Sequence, residues 1–163
     1  MSLPKVAVYV VAAVVLLIAG SMVYFRAVSD DPAVWHVDPV TAGRTGRPND
    51  VKALPPGLGE AEIRTEVRPV APEALAERFH AVATAAPRVS VVGGAPDEAF
   101  TTYVQRSAIF GFPDYVSVRA VEVEGGAALA IFSRSRYGQS DLGVNRARVE
   151  DWLSRLEAPA PAG

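Results

Sequence analysis

A basic window near the C-terminus carries the residue types best suited to binding chemistry. Residues 133–148 contain four arginines and one aspartate, which gives this window a charge of +3 in a chain of net charge −2. Guanidinium groups, hydroxyls and the free N–H groups of a helix start are what proteins use to bind phosphate or carboxylate. The window predicts an anion site formed by Arg134, Ser135, Arg136, Gly138, Ser140, Asn145 and Arg146.

A structural role fits the same window equally well. Arg134 and Arg136 are two positions apart, so on a strand their side chains share one face. Asp141 or Asn145 can cap the helix that follows, and the two glycines of the window can supply backbone angles that other residues avoid. The arginines then belong to the scaffold, and no ligand is required.

Ion pairing is the second part of this structural interpretation. Asp114 and Asp141 can pair with Arg106, Arg134 or Arg136 and so hold the loops against a sheet. Buried networks of arginine and carboxylate need about as many charges as this segment carries.

A hydrolase is the catalytic alternative, with Asp114 and Asp141 as the paired acids. Its nucleophile would be one of the serines of the window, Ser133, Ser135 or Ser140. The sequence has no GxSxG nucleophile elbow and no GxGxxG or phosphate loop that ends in Lys-Ser/Thr. We therefore predict binding rather than catalysis, with no catalytic residue.

Composition excludes several other classes of site. The chain has no cysteine, and its two histidines, His36 and His80, are too few for an imidazole-rich metal site. A net charge of −2 lacks the basic surplus of a general nucleic-acid binder. We expect no metal, no cofactor and no nucleic-acid partner.

An apolar segment at the N-terminus predicts a transmembrane anchor over residues 1–26. Residues 6–25 are uncharged and, at about 1.5 Å per residue in a helix, span the hydrocarbon core of a bilayer. Tyr9 and Tyr24 suit its two interfaces. A cleaved signal peptide is the alternative, since residues 27–29 are small. However, the apolar run is longer than a signal peptide requires, and Arg26 abuts the site.

The remaining chain divides into a linker, a globular part and a tail. Residues 27–59 contain five prolines and four glycines and predict an extended linker, in which residues 34–37 can pack on the globular part. His36 is interpreted as a solvated linker residue. The globular part covers residues 60–157, and a flexible tail covers 158–163.

Hydrophobic periodicity in the globular part predicts the order strand, helix, four strands, helix. Alternation predicts a strand at 63–67, and apolar residues at helical spacing predict a helix between Pro72 and Pro87. Because helices do not alternate with every strand, the pattern favours a mostly antiparallel sheet over a doubly wound parallel one. We expect an α+β protein: one transmembrane helix, then a mostly antiparallel sheet of about five strands with two helices packed on it.

The window also carries a family resemblance. Residues 133–146, followed by Arg148-Val149-Glu150, resemble the C-terminal signature of the DUF1499 family, a domain of unknown function found in bacteria and plastid-bearing organisms. Residues 106–114 resemble that family's block of Arg, Phe and paired acids, with Tyr115 in place of the usual second acid. The resemblance covers about residues 60–157. It implies a small domain, often secreted or membrane-attached, and no activity.

Together these patterns predict a binding protein at a membrane. Arginine outnumbers lysine 14 to 2, which we interpret as the composition of a bacterium. The N-terminus is placed in the cytoplasm and the domain in the periplasm, anchored in the inner membrane. The expected partners are membrane lipid and another inner-membrane protein or complex, to which the chain docks as an accessory or subunit protein.

Overall fold

The computed structural model of the chain describes residues 3–157. The helices are α1 (Leu3–Ala27), α2 (Pro32–Trp35), α3 (Pro72–Ala85) and α4 (Val144–Glu157). The strands are β1 (Asp50–Leu54), β2 (Ile63–Arg64), β3 (Val89–Ala95), β4 (Phe100–Arg106), β5 (Pro113–Val123) and β6 (Gly126–Ser135). A 3-10 turn at Pro96–Glu98 joins β3 to β4. The predicted tail at 158–163 lies outside the described residues.

Helix α1 is the one described helix that is long and apolar enough to cross a membrane. Its 25 residues correspond to about 37 Å of helix. Its apolar side chains are not buried against the rest of the molecule, because the domain contacts only its C-terminal end. The predicted N-terminal apolar helix is thus confirmed.

The strands form one six-stranded sheet in the order β2-β1-β6-β5-β4-β3. Only β1 and β2 are parallel, and every other neighbouring pair is antiparallel. The predicted α+β class is confirmed, with six strands instead of about five. Strands β5 and β6 are joined by a tight turn at Glu124 and Gly125, and the two glycines Gly125 and Gly126 have positive φ.

The hydrophobic core lies between one face of the sheet and helices α3 and α4. Its centre is aromatic: the Phe79 ring packs edge-on against Trp152 at a centroid distance of 5.9 Å, and Tyr103 packs edge-on against Trp152. Helix α3 begins at Pro72 and ends before Pro87, because proline suits a first helical turn but cannot continue a helix. The α4 residues Val149 and Leu156 complete this core.

The extended linker predicted over 27–59 differs most from the structure. Residues 50–54 form strand β1, which is buried along its whole length between β2 and β6. Its charged side chains have local hydrogen-bond partners: Asp50 accepts hydrogen bonds from Arg44 and Thr45, and Lys52 donates to the Ala42 carbonyl at 2.5 Å. The folded domain therefore begins upstream of residue 60, and β1 is the strand that the sequence prediction lacked.

Candidate functional site

The sheet face opposite the helices is covered by the segment that follows α1. We call residues 28–38 the strap. Strands alternate their side chains, so Val116 enters the helical core while Tyr115, on the opposite face, meets the strap. The Trp35 ring lies parallel to that of Tyr115, with centroids 3.9 Å apart. Packing of residues 34–37 on the globular part, which the sequence suggested, is thus seen.

Arg134 and Arg136 hold the strap from beneath. Arg134 Nη2 donates to the Trp35 carbonyl at 2.5 Å, and Arg136 Nη1 donates to the Ser29 carbonyl at 2.8 Å. Both guanidinium groups also lie over the Trp35 ring. The two arginines share one face, as their spacing predicted, and they bind the protein's own backbone.

Arg106 fastens the junction between α1 and the strap. Its guanidinium donates to the carbonyls of Phe25 at 2.6 Å and Val28 at 3.0 Å, and it pairs with the Asp30 carboxylate at 2.7 Å. The other oxygen of Asp30 accepts the Tyr115 hydroxyl at 2.7 Å. One carboxylate thus joins two strands of the sheet to the end of the apolar helix.

Burial shifts the pKa values of the two ionisable groups beneath the strap, Arg134 and Tyr115. Arg134 is only 4 % exposed, and no carboxylate pairs with it among the described residues. Loss of hydration lowers the pKa of Arg134 to about 10, against the opposing effect of Tyr115, so the group is charged at neutral pH. Burial and the hydrogen bond to Asp30 raise the pKa of Tyr115 to about 12.

His36 fixes the far end of the strap. Its Nδ1 lies 2.9 Å from Thr102 Oγ1, and its ring stacks on Phe100 with centroids 3.9 Å apart. The prediction of a solvated linker histidine is therefore wrong. Burial lowers the pKa of His36 below its ordinary value of 6.5, while the charge of Glu98 acts in the opposite direction.

This shift predicts a pH dependence of stability. His36 binds a proton less readily in the folded protein than in the unfolded chain. Its contribution to the free energy of unfolding is therefore complete above pH 6.5 and is lost as the pH falls below that value. We expect the thermal unfolding midpoint to fall on acidification through this window, and to fall less in His36→Gln. Thermal unfolding of both proteins across the window measures the difference, and equal slopes would contradict the prediction.

A cavity of about 320 Å³ lies at the end of β6, between the loops 107–112 and 136–143. It brings together several residues that the sequence singled out. Its lining consists of Ser107, Phe112, Asp114, Ser135, Tyr137, Gly138, Ser140, Asp141 and Val144. The cavity therefore brings together both acids of the hydrolase alternative and two of its three candidate serines, Ser135 and Ser140, whereas Ser133 is fully buried and bonded to Asn145.

The acids of this cavity already have partners. Asp114 pairs with Arg148 at 2.7 Å, and both oxygens of Asp141 accept backbone N–H groups at the start of α4. Ser135 Oγ accepts a hydrogen bond from Asn145 Nδ2 at 2.9 Å. These bonds order the start of α4, as expected of a helix cap and a buried ion pair.

The structure does not assemble the predicted anion site. Arg134 and Arg136 lie under the strap, whereas Arg146 lies on α4, on the other side of the sheet, and pairs with Glu150 at 2.9 Å. Asn145 is fully buried, where it donates to the Asn49 carbonyl and accepts from Arg148. The predicted ligand set is thus divided between two faces.

The predicted ion pairs are also rearranged. Arg106 pairs with Asp30 and Asp114 pairs with Arg148, so neither has the partner that the sequence suggested. Asp141 caps α4, which was the alternative prediction for this residue. Sequence reasoning missed the roles of Arg148 and Asp30 in this network, although Arg148 lies inside the basic window, four residues before Trp152 and so on the same side of the helix.

Gly111 lets the loop 107–112 approach α1. Its φ is +78°, and a Cβ placed on it would lie 2.5 Å from Arg26 Cγ. We expect Gly111→Ala to lower the free energy of unfolding by about 1–2 kcal/mol, mainly through the left-handed backbone. Chemical denaturation measures this loss. Gly43→Ala, where a Cβ meets nothing within 4 Å, is the control; an equal effect in both would contradict the role of Gly111.

Comparison with known proteins supplies a family. The family described as "Protein of unknown function (DUF1499)" matches residues 42–156, a range that includes strand β1. No curated protein and no solved structure matches the chain. Since the matched range covers more than half of its length, the chain belongs to the DUF1499 family.

Proposed function

We propose that the chain is a single-pass protein of the bacterial inner membrane, with its domain in the periplasm. On this proposal it acts without catalysis, as an accessory or subunit protein that docks to another membrane protein or complex. The apolar helix α1 supports the anchor, since its length matches a bilayer and none of its central side chains are needed by the domain.

Attachment of the domain to the end of α1 is the observation that carries the docking role. Arg106 bonds Phe25 and Val28, and Arg26 Nη2 donates to the Ile109 carbonyl at 2.6 Å. The domain therefore has no free tether: a partner in the same membrane meets it at a fixed height and in a fixed orientation. Preorganisation of this kind lowers the entropy lost on association.

Purification of the full chain in a mild detergent, followed by mass spectrometry of co-eluting proteins, tests the proposal. We expect one membrane protein in constant ratio to the chain. A variant with the apolar residues of 6–25 in shuffled order separates recognition by α1 from recognition by the domain. Recovery of the chain alone, or of a soluble form that begins after residue 27, would contradict docking from a membrane anchor.

An anionic group remains part of this proposal in a narrower form. A phosphate or carboxylate at Arg134 and Arg136 would have to displace the carbonyls of Trp35 and Ser29, so binding would release the strap. Such a ligand would expose the segment 28–38 to proteases. Protection of that segment by inorganic phosphate, instead of exposure, would exclude this mode of binding.

The hydrolase is retained as a second candidate because Asp114, Asp141, Ser135 and Ser140 line one cavity. Turnover of model esters by the full chain, compared with Ser135→Ala and Ser140→Ala, separates the two proposals. Docking without catalysis predicts equal, background rates in all three proteins. A rate in the unmodified chain that either substitution abolishes would favour the hydrolase.

A further inference from the structure

The loop 107–112 combines strong exposure of apolar side chains with a fixed position at the end of α1. Ile109 is 66 % exposed and Phe110 is 36 % exposed. The six residues of the loop, Ser-Ala-Ile-Phe-Gly-Phe, carry no charge. Exposure of these apolar side chains to water is unfavourable, and a contiguous exposed apolar surface is typical of a contact with a protein or a membrane.

Contacts with the last turn of α1 set the level of this loop. Arg26 Nη2 donates to the carbonyls of Ala108 and Ile109, at 3.4 and 2.6 Å. The Phe25 ring packs on Phe112 with centroids 4.4 Å apart. The loop is therefore level with the residues at which the apolar helix ends, where a bilayer has its headgroups and where aromatic side chains concentrate.

Most backbone carbonyls of the loop have hydrogen-bond donors within the protein. Ser107 and Phe112 exchange hydrogen bonds, and the Gly111 N–H donates to the Ser107 carbonyl at 3.1 Å. With the bonds from Arg26, and one from Arg106 to the Gly111 carbonyl at 3.3 Å, five of the six loop carbonyls are satisfied within the protein. The partnered carbonyls reduce the cost of approaching the apolar phase, whereas the N–H groups of Ala108, Ile109 and Phe110 have no protein partner in the described part of the chain and place the loop backbone at the hydrated headgroup level.

We propose that the loop 107–112 is a second membrane contact, which inserts Ile109 and Phe110 into the lipid interface beside α1. This inference rests on the proposed anchor and adds to it, because the domain itself then contacts the bilayer surface through this loop. The long axis of β5 and β6 then leads away from the membrane, from the loop end at Pro113 to the turn at Gly125 about 36 Å away.

Single-cysteine labelling tests the insertion cleanly, because the chain has no native cysteine. The full chain carrying Ile109→Cys is labelled with an environment-sensitive fluorophore and reconstituted in vesicles of phosphatidylethanolamine and phosphatidylglycerol. Lipids with a nitroxide near the headgroup end of the acyl chain then act as quenchers. Ile109 is exposed, so its substitution leaves the core intact.

Two matched positions separate the inference from the anchor on which it depends. Leu16→Cys lies in the middle of α1 and reports the anchor, read with a nitroxide near the methyl end of the chain. Val67→Cys, 43 % exposed and beside Gly125 at the far end of the β5–β6 hairpin, reports the aqueous side. We expect strong quenching at Leu16 and Ile109 and none at Val67.

The remaining outcomes each overturn a stated claim. Quenching at Leu16 without quenching at Ile109 leaves the anchor in place and removes the membrane contact of the loop. Absence of quenching at both positions removes the anchor and, with it, the inserted loop. Quenching at Val67 equal to that at Ile109 shows that the domain lies on its side, which contradicts the proposed seating.

Discussion

Replacing Arg148 with methionine is expected to lower the free energy of unfolding by about 3–5 kcal/mol. Arg148 donates to Asp114 at 2.7 Å, to Asn145 Oδ1 at 2.6 Å and to Gln105 Oε1 at 2.5 Å. The side chains of the Arg148–Asp114 pair are only 6 % and 14 % exposed. Methionine keeps an unbranched apolar side chain but removes the guanidinium, which leaves the largely buried Asp114 carboxylate without a compensating charge.

A loss of this size is a large part of the total stability of a typical domain, about 5–15 kcal/mol. Denaturant unfolding of the detergent-solubilised chain, followed by tryptophan fluorescence, measures it. Arg155→Met is the matched control, since Arg155 lies on the same helix in an exposed ion pair with Asp151. Such a pair contributes at most about 0.5 kcal/mol to the free energy of unfolding.

A second substitution identifies the source of the Arg148 effect. Adding Asp114→Asn to Arg148→Met removes the uncompensated charge, so we expect part of the lost stability to return. If Arg148→Met costs no more than Arg155→Met, the buried network does not hold α4 against the sheet.

Local patterns were sufficient for most elements of the fold and failed at β1. Helix α3 was predicted from Pro72, from Pro87 and from apolar residues at helical spacing, all of which act within a few residues. Strand β1 has only five residues, two of them charged, in a segment rich in proline and glycine. Its burial depends on Arg44 and the Ala42 carbonyl as partners of its two charged side chains, and on strand pairing with β6, which lies about 80 residues away.

The candidate site shows the same limit. The spacing of Arg134 and Arg136 correctly predicted one shared face, because strand alternation is a local property. Their partners, the carbonyls of Trp35 and Ser29, are 99 and 107 residues away in the chain. No spacing rule connects an arginine to a backbone carbonyl at that distance, so an anion from outside was the simplest ligand to infer. The strap occupies that place instead.

Replacing Arg106 with glutamine is expected to release the junction between α1 and the strap from the sheet while the domain core stays folded. The guanidinium bonds two backbone carbonyls and the Asp30 carboxylate at this junction, at distances of 2.6 to 3.0 Å. Hydrogen bonds to charged groups contribute about 1.5–3 kcal/mol each and do not add fully. A net loss of about 2 kcal/mol raises the population of the open junction roughly 30-fold.

Tryptic cleavage after Arg26 reads this population, because proteolysis of a rapidly opening segment follows the fraction that is open. We expect cleavage of Arg106→Gln in detergent to be about 30-fold faster than that of the unmodified chain, with the thermal midpoint of the core little changed. Arg119→Gln is the matched control, since Arg119 also joins the sheet to the strap, through Asp38, but is 44 % exposed and so contributes little. Equal cleavage rates in the two variants would mean that the junction is held by its aromatic contacts, Phe25 with Phe112 and Tyr137, and not by the charge on Arg106.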